Sequence, residues 1–176
     1  MKKFMMGAAA FCCMLFSIVA LTACGSDNND DDDSGKTDSF APKEALLEVW
    51  CAEKQEFLDV YDVTVTINGQ SETISSSTWS KSVKSNGLPT HYSINVKMTK
   101  KAGKDWEADK MYDFTLPAIK YKISVIRVNG ETAEWTLKEP QNRSLGGKFM
   151  DLTLEKFGEF TAEYDIDKNG KLPRNL

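Results

Sequence analysis

The chain has 176 residues, 41% of them hydrophobic, with 22 basic and 26 acidic side chains and a single histidine. A net charge of −4 offers no basic excess to release counterions from a phosphate backbone, which excludes nucleic acid as a partner. One histidine also leaves too few ligands for a tetrahedral zinc site.

The first element is a leader. Lys2 and Lys3 precede an uncharged apolar run over residues 4–20 that ends in small residues, the build of an export signal occupying residues 1–23. Leu21, Thr22, Ala23 and Cys24 close it, and these four residues resemble the lipobox of bacterial lipoproteins. The resemblance implies that Cys24 is acylated with diacylglycerol, that the peptide is cut just before it, and that the new amino terminus is acylated too. The chain is then held on a membrane by a lipid anchor without crossing it. Each buried methylene contributes about 0.8 kcal/mol, so more than one acyl chain makes the attachment effectively permanent. An ordinary secretory signal with a chance cysteine is the competing reading.

Residues 24–41 form the second element, Cys24 followed by GSDNNDDDDSGKTDSFA, with six aspartates and one lysine. Such a segment buries too little apolar surface to offset its ordering entropy, so a disordered acidic tether is expected. Repulsion among Asp30, Asp31, Asp32 and Asp33 extends it toward a contour length of roughly 3.5 Å per residue. Residues 26–33 also resemble the surface-export signal of lipoproteins in Bacteroides-type bacteria, which implies display on the cell surface, at the outer leaflet of the outer membrane. A solvated spacer on a periplasm-facing lipoprotein is the alternative.

Residues 42–176 carry 19 basic and 20 acidic side chains, nearly neutral, and suffice for a single domain with one core. Leu46, Val49, Trp50, Glu53 and Phe57 fall at helical spacing behind Pro42, which predicts a short N-terminal helix over residues 42–57. The same run, LLEVWCA, also fits an edge strand. Cys51 has no partner for a disulfide within the domain, and its apolar neighbours give it the character of a buried, inert thiol.

From residue 58 onward the dominant period is two, the mark of strands with one buried face. Seven are expected: around Tyr61 to Ile67, His91 to Thr99, Tyr112 to Leu116, Ile119 to Val128, Ala133 to Leu137, Met150 to Leu154, and Phe160 to Ile166. Beyond Val125 the apolar phase slips to Ile126 and Val128, as at a bulge. Asn68-Gly69 and Asn129-Gly130 predict type I′ hairpin turns, and Gly158 a turn between the last two strands. The pattern defines an all-β fold, an antiparallel β-sandwich of about seven strands, immunoglobulin-like in size. A lipocalin-like β-barrel is the alternative, with Tyr92, Tyr112, Phe114 and Tyr121 lining a cavity for a small apolar ligand.

No catalytic set and no cofactor follow from these residues. DIDKNG, residues 165–170, opens like a calcium loop, but its twelfth position is Leu176, so a charged turn is the simpler reading. His91 falls on the polar face of its strand, and Asp105, Glu107 and Asp109 lie in a lysine-rich hairpin. Trp79 and Trp106 fall in expected loops, where an open ring can stack on a sugar or anchor a protein; the competing reading has them folded back as caps on the core. The function these features imply is non-enzymatic: a surface-displayed, lipid-anchored β-domain that binds a glycan or a protein partner. A carrier of a small apolar ligand is one alternative. Another is an envelope assembly partner recognisable by an unprotected edge strand.

Overall fold

The computed structural model describes residues 38–172, with the side chains of 135–138 excepted. The expected leader, Cys24 and most of the expected acidic tether lie outside the described residues.

Ten strands and two helices are found among the described residues. One sheet has the order β4 (Ser80–Lys84), β1 (Pro42–Cys51), β7 (Ile119–Arg127), β8 (Thr132–Lys138). The second has the order β10 (Glu159–Ile166), β5 (Thr90–Lys100), β2 (Tyr61–Ile67), β3 (Gln70–Ile74). A separate two-stranded ribbon joins β6 (Met111–Leu116) to β9 (Gln141–Gly146). Every pairing is antiparallel. No sheet closes on itself, so the fold is an antiparallel β-sandwich and not a barrel.

Alternation puts Ala45, Leu47 and Val49 of β1 and Ile119, Tyr121 and Ile123 of β7 in one core with Val63 and Val65 of β2 and Tyr92, Ile94 and Val96 of β5. Two tyrosines supply polar ties inside it. The Tyr92 hydroxyl reaches the carbonyls of Ala45 and Val83, at 2.9 and 3.1 Å, and the Tyr121 and Tyr164 hydroxyls meet at 2.8 Å. Each tie runs from one four-stranded sheet to the other.

Two elements change type from the sequence expectation, and three strands, β3, β4 and β9, are added to the seven expected. The helix expected over 42–57 shrinks to one turn, α1 (Gln55–Leu58), and Pro42–Cys51 is a strand. It is not at an edge either, because β4 and β7 flank it. Its continuous apolar run satisfies both periods, and pairing on both sides decides for the extended form. Conversely, the strand expected over residues 150–154 is helix α2 (Gly147–Phe157). Met150 and Leu154, four apart, are buried with Gly147, whereas Leu152 is 70% exposed, which only a helix can arrange. Gly158 accordingly caps this helix, its N–H donating to the Leu154 carbonyl at 2.7 Å.

The turns are resolved as well. Asn68 and Gly69 both adopt positive φ, 49° and 79°, as a type I′ turn requires. In the β7–β8 turn only Gly130 does so, and Gly130 N–H donates to Arg127 O while Arg127 N–H donates to Glu131 O. That is a type I turn with a following bulge rather than type I′. The phase slip near Ile126 has its counterpart in β1, whose register shifts between Pro42 and Glu44.

Candidate functional site

The sandwich has two distinct poles. At one, the chain enters β1: Val128 N–H donates to Ala41 O and Asn129 N–H to Ser39 O, both at 2.9 Å, and Gly170 packs close to Pro42 and Val125. At the other, ten residues of β1 away, α1, α2 and the β6–β9 ribbon gather. Glu53, Phe57 and Tyr61 link them there, through bonds to Thr115 and Asp151 and ring contacts with Phe114 and Trp106.

The distal pole carries most of the large apolar side chains exposed among the described residues. Six large hydrophobic side chains are exposed among the described residues, and four of them, Met111, Phe149, Leu152 and Phe157, belong to α2 or the strand beside it. Met111 Sδ and the Phe149 ring each lie 3.9 Å from where a Cβ on Gly146 would stand, so they close over that glycine as a continuous patch. Beside it, Phe114 and Leu116 of β6, Leu145 of β9, and Thr153 and Phe157 of α2 line an open cavity of about 320 Å³, bordered by Arg143 and Ser144. Cross-strand pairing of Tyr112 with Leu145 and of Phe114 with Arg143 sets these side chains on one face of the ribbon.

Charge is sorted around this patch. Among the described residues no carboxylate lies within ion-pair distance of Arg143, Lys148 or Lys156, while most other cations are paired. Arg143 Nη2 donates to Gln141 Oε1 at 2.8 Å, and Lys148 and Lys156 lie 5.0 and 5.3 Å over the Phe149 and Phe157 rings. The acids of α2 sit on its other flank. Asp151 accepts from the Tyr61 hydroxyl at 2.9 Å and from Lys100 at 2.6 Å. Burial works against its ionisation, but those two bonds prevail and hold its carboxyl below the usual range. The remaining crest of α2 is therefore apolar and basic.

The residues singled out from the sequence are placed as follows. Trp106 is 9% exposed, its ring 4.6 Å from Tyr112 and 5.8 Å from both Phe57 and Tyr61, so it caps the core and presents no open face. Trp79 is half-buried, packed on the core, with its indole N–H donating to Glu72 Oε1 at 2.9 Å. The two are not brought together with the patch. Tyr92, Tyr112, Phe114 and Tyr121 are buried, and of these only Phe114 lines the cavity. His91 Nδ1 lies 2.8 Å from Asp165 Oδ1 across the β5–β10 pair, on the exposed face. Asp105 is bound by Lys100, and Glu107 lies 3.9 Å from Lys110. In DIDKNG, the Asp167 carboxylate accepts the N–H groups of Asn169 and Lys171 at 2.8 and 2.9 Å, which makes the segment an Asx turn. Cys51 is half-buried, and burial pushes its thiol up.

The fold and its surface define an antiparallel β-sandwich with a helix-capped apolar pole. No protein-family model, no curated protein and no solved structure matches the chain. Sequence reasoning missed Met111, Phe149, Leu152 and Phe157. The signal available was the spacing of Phe149, Leu152 and Lys156 beside Met150 and Leu154, two faces at helical period within one short stretch.

Proposed function

We propose that this chain is a non-enzymatic, lipid-anchored binding protein, displayed on the outer membrane at the cell surface, that engages a protein partner through its distal pole. The observation that carries the reading is the set of exposed apolar side chains on α2 and the strand beside it, Met111, Phe149, Leu152 and Phe157. Exposed apolar surface of this kind is costly to leave in water unless a partner covers it. The chain enters β1 at the pole opposite these side chains, which leaves them clear of the point where a tether ahead of Pro42 would join. A protein partner is favoured over a glycan because Trp106 is buried and Trp79 is packed on the core, so neither joins the exposed apolar side chains of this pole.

Two experiments test the two halves. A fatty-acid probe is expected to label the chain and to be lost in Cys24→Ala, and protease added to intact cells is expected to remove the domain. An unlabelled chain, or one cut only after lysis, overturns the anchored and displayed reading respectively. A photo-crosslinking residue at Leu152 is expected to trap a protein on cells, and one at Lys168, at the other pole, to trap none. Equal trapping at both positions, or none at either, overturns the partner reading.

A further inference from the structure

The cavity beside α2 has an uneven lining. From β6 it takes only Phe114 and Leu116, alternate residues, as the face of a strand does. From β9 it takes three in succession, Arg143, Ser144 and Leu145, although successive side chains of a strand point to opposite faces. Phe114, Leu116, Arg143 and Leu145 share one face of the ribbon, so the cavity lies over that face beneath α2, and Ser144 brings it to the backbone of β9.

The edge of β9 is open. β9 pairs with β6 alone, and among the described residues no backbone group of residues 141–145 bonds to any other segment. Natural edge strands are protected by charged side chains, proline or a covering element, and QNRSLG contains no proline and a single charge. Its one charge is Arg143, which has no carboxylate partner among the described residues and borders the cavity.

An unpaired row of backbone donors and acceptors, an apolar slot over the adjoining face of the ribbon and a cation with no carboxylate partner among the described residues are the three parts of a strand-addition site. We propose that the β9 edge receives an extended peptide segment of the partner as an added third strand of the ribbon. Main-chain hydrogen bonds fix it, an apolar side chain fills the cavity between Phe114, Leu145 and Phe157, and an acidic side chain meets Arg143. The occupant's sign follows from charge. A second copy of this chain, docking two-fold, would set Arg143, Lys148 and Lys156 against the same cationic patch, so the occupant carries carboxylates instead. This inference rests on the proposed protein partner and specifies how that partner is gripped.

The test uses the purified full chain and a phage-displayed library of random peptides of about ten residues, long enough for one strand. Selected peptides are expected to alternate apolar with other residues and to carry Asp or Glu. Their affinity is expected to fall at least about tenfold in Arg143→Glu, the loss of about 1.4 kcal/mol that removal of a charge-assisted bond predicts, and to be unchanged in Lys168→Glu at the other pole. Methylating backbone amides of a selected peptide at alternate positions is expected to abolish binding in one phase and spare it in the other, a signature that mere hydrophobic adhesion does not give. Binders indifferent to Arg143→Glu, binders equally sensitive in both phases, or a library that yields none would each overturn the strand-addition site. A chain that dimerises through β9 overturns it as well. If Leu152 still crosslinks to a protein on cells while peptides fail, the partner reading survives and only the mode of grip falls.

Discussion

Glu53 gives the sharpest quantitative prediction. Its side chain is 4% exposed at the end of β1, and the Thr115 N–H and hydroxyl both donate to its Oε1 at 2.8 Å. Burial outweighs those bonds and the nearby Lys54, and pushes the carboxyl from 4.5 up to about 7. A group that holds its proton more tightly folded than unfolded favours the fold while protonated. Its contribution is intact below about pH 4.5 and declines as pH rises to about 7, with little change beyond. The displacement corresponds to roughly 3 kcal/mol. Glu53→Gln keeps an oxygen for both Thr115 bonds and removes the titration. Urea denaturation of the two proteins in parallel at pH 4.5 to 8 is the assay. Their stabilities are expected to diverge with rising pH, the glutamine variant ending roughly 3 kcal/mol ahead at pH 8. A stability difference that stays constant across the range would refute the reasoning, because it would mean that Glu53 titrates alike in the folded and unfolded chain.

Three further outcomes are expected. Gly147→Ala places a methyl 2.2 Å from the Glu107 carbonyl oxygen, so a change that ordinarily favours a helix should here cost at least about 2 kcal/mol in a denaturant titration. Trp106→Ala should cost about 3–5 kcal/mol by emptying the ring cluster of Phe57, Tyr61 and Tyr112, and Trp79→Ala distinctly less; equal losses would contradict their placement. Leu152→Gln should leave stability within about 0.5 kcal/mol while lowering the uptake of an apolar dye, and a larger loss would show that Leu152 is packed.

Much of the sandwich is legible in the residue order, for a physical reason. In β2, β5 and β10 the apolar residues alternate with polar ones and fit no other period, so the pattern alone names the element. β1 and α2 fail in opposite directions because their patterns fit two periods. The β1 run is apolar on consecutive positions, and what makes it a strand is a neighbour on each side, which composition does not encode. In α2, Met150, Leu152 and Leu154 alternate, yet Met150 and Leu154 are also one helical turn apart, and Leu152 is the residue that faces water. The candidate site stays hidden for the same reason: an exposed leucine and a core leucine read alike until the fold assigns them a side. β9 is hidden differently. Gln141, Asn142, Arg143 and Ser144 lack any apolar rhythm, and only pairing with β6 makes them a strand.

The central position of β1 bears on how the molecule responds to force. Its register with β7 runs from Pro42 to Cys51, and with β4 from Leu46 to Trp50, so it is laced along both sides. Tension on the chain ahead of Pro42, resisted by a load held at the far pole, draws β1 lengthwise between its neighbours. Both ladders are then sheared at once, whereas a strand at a sheet margin would be peeled away bond by bond.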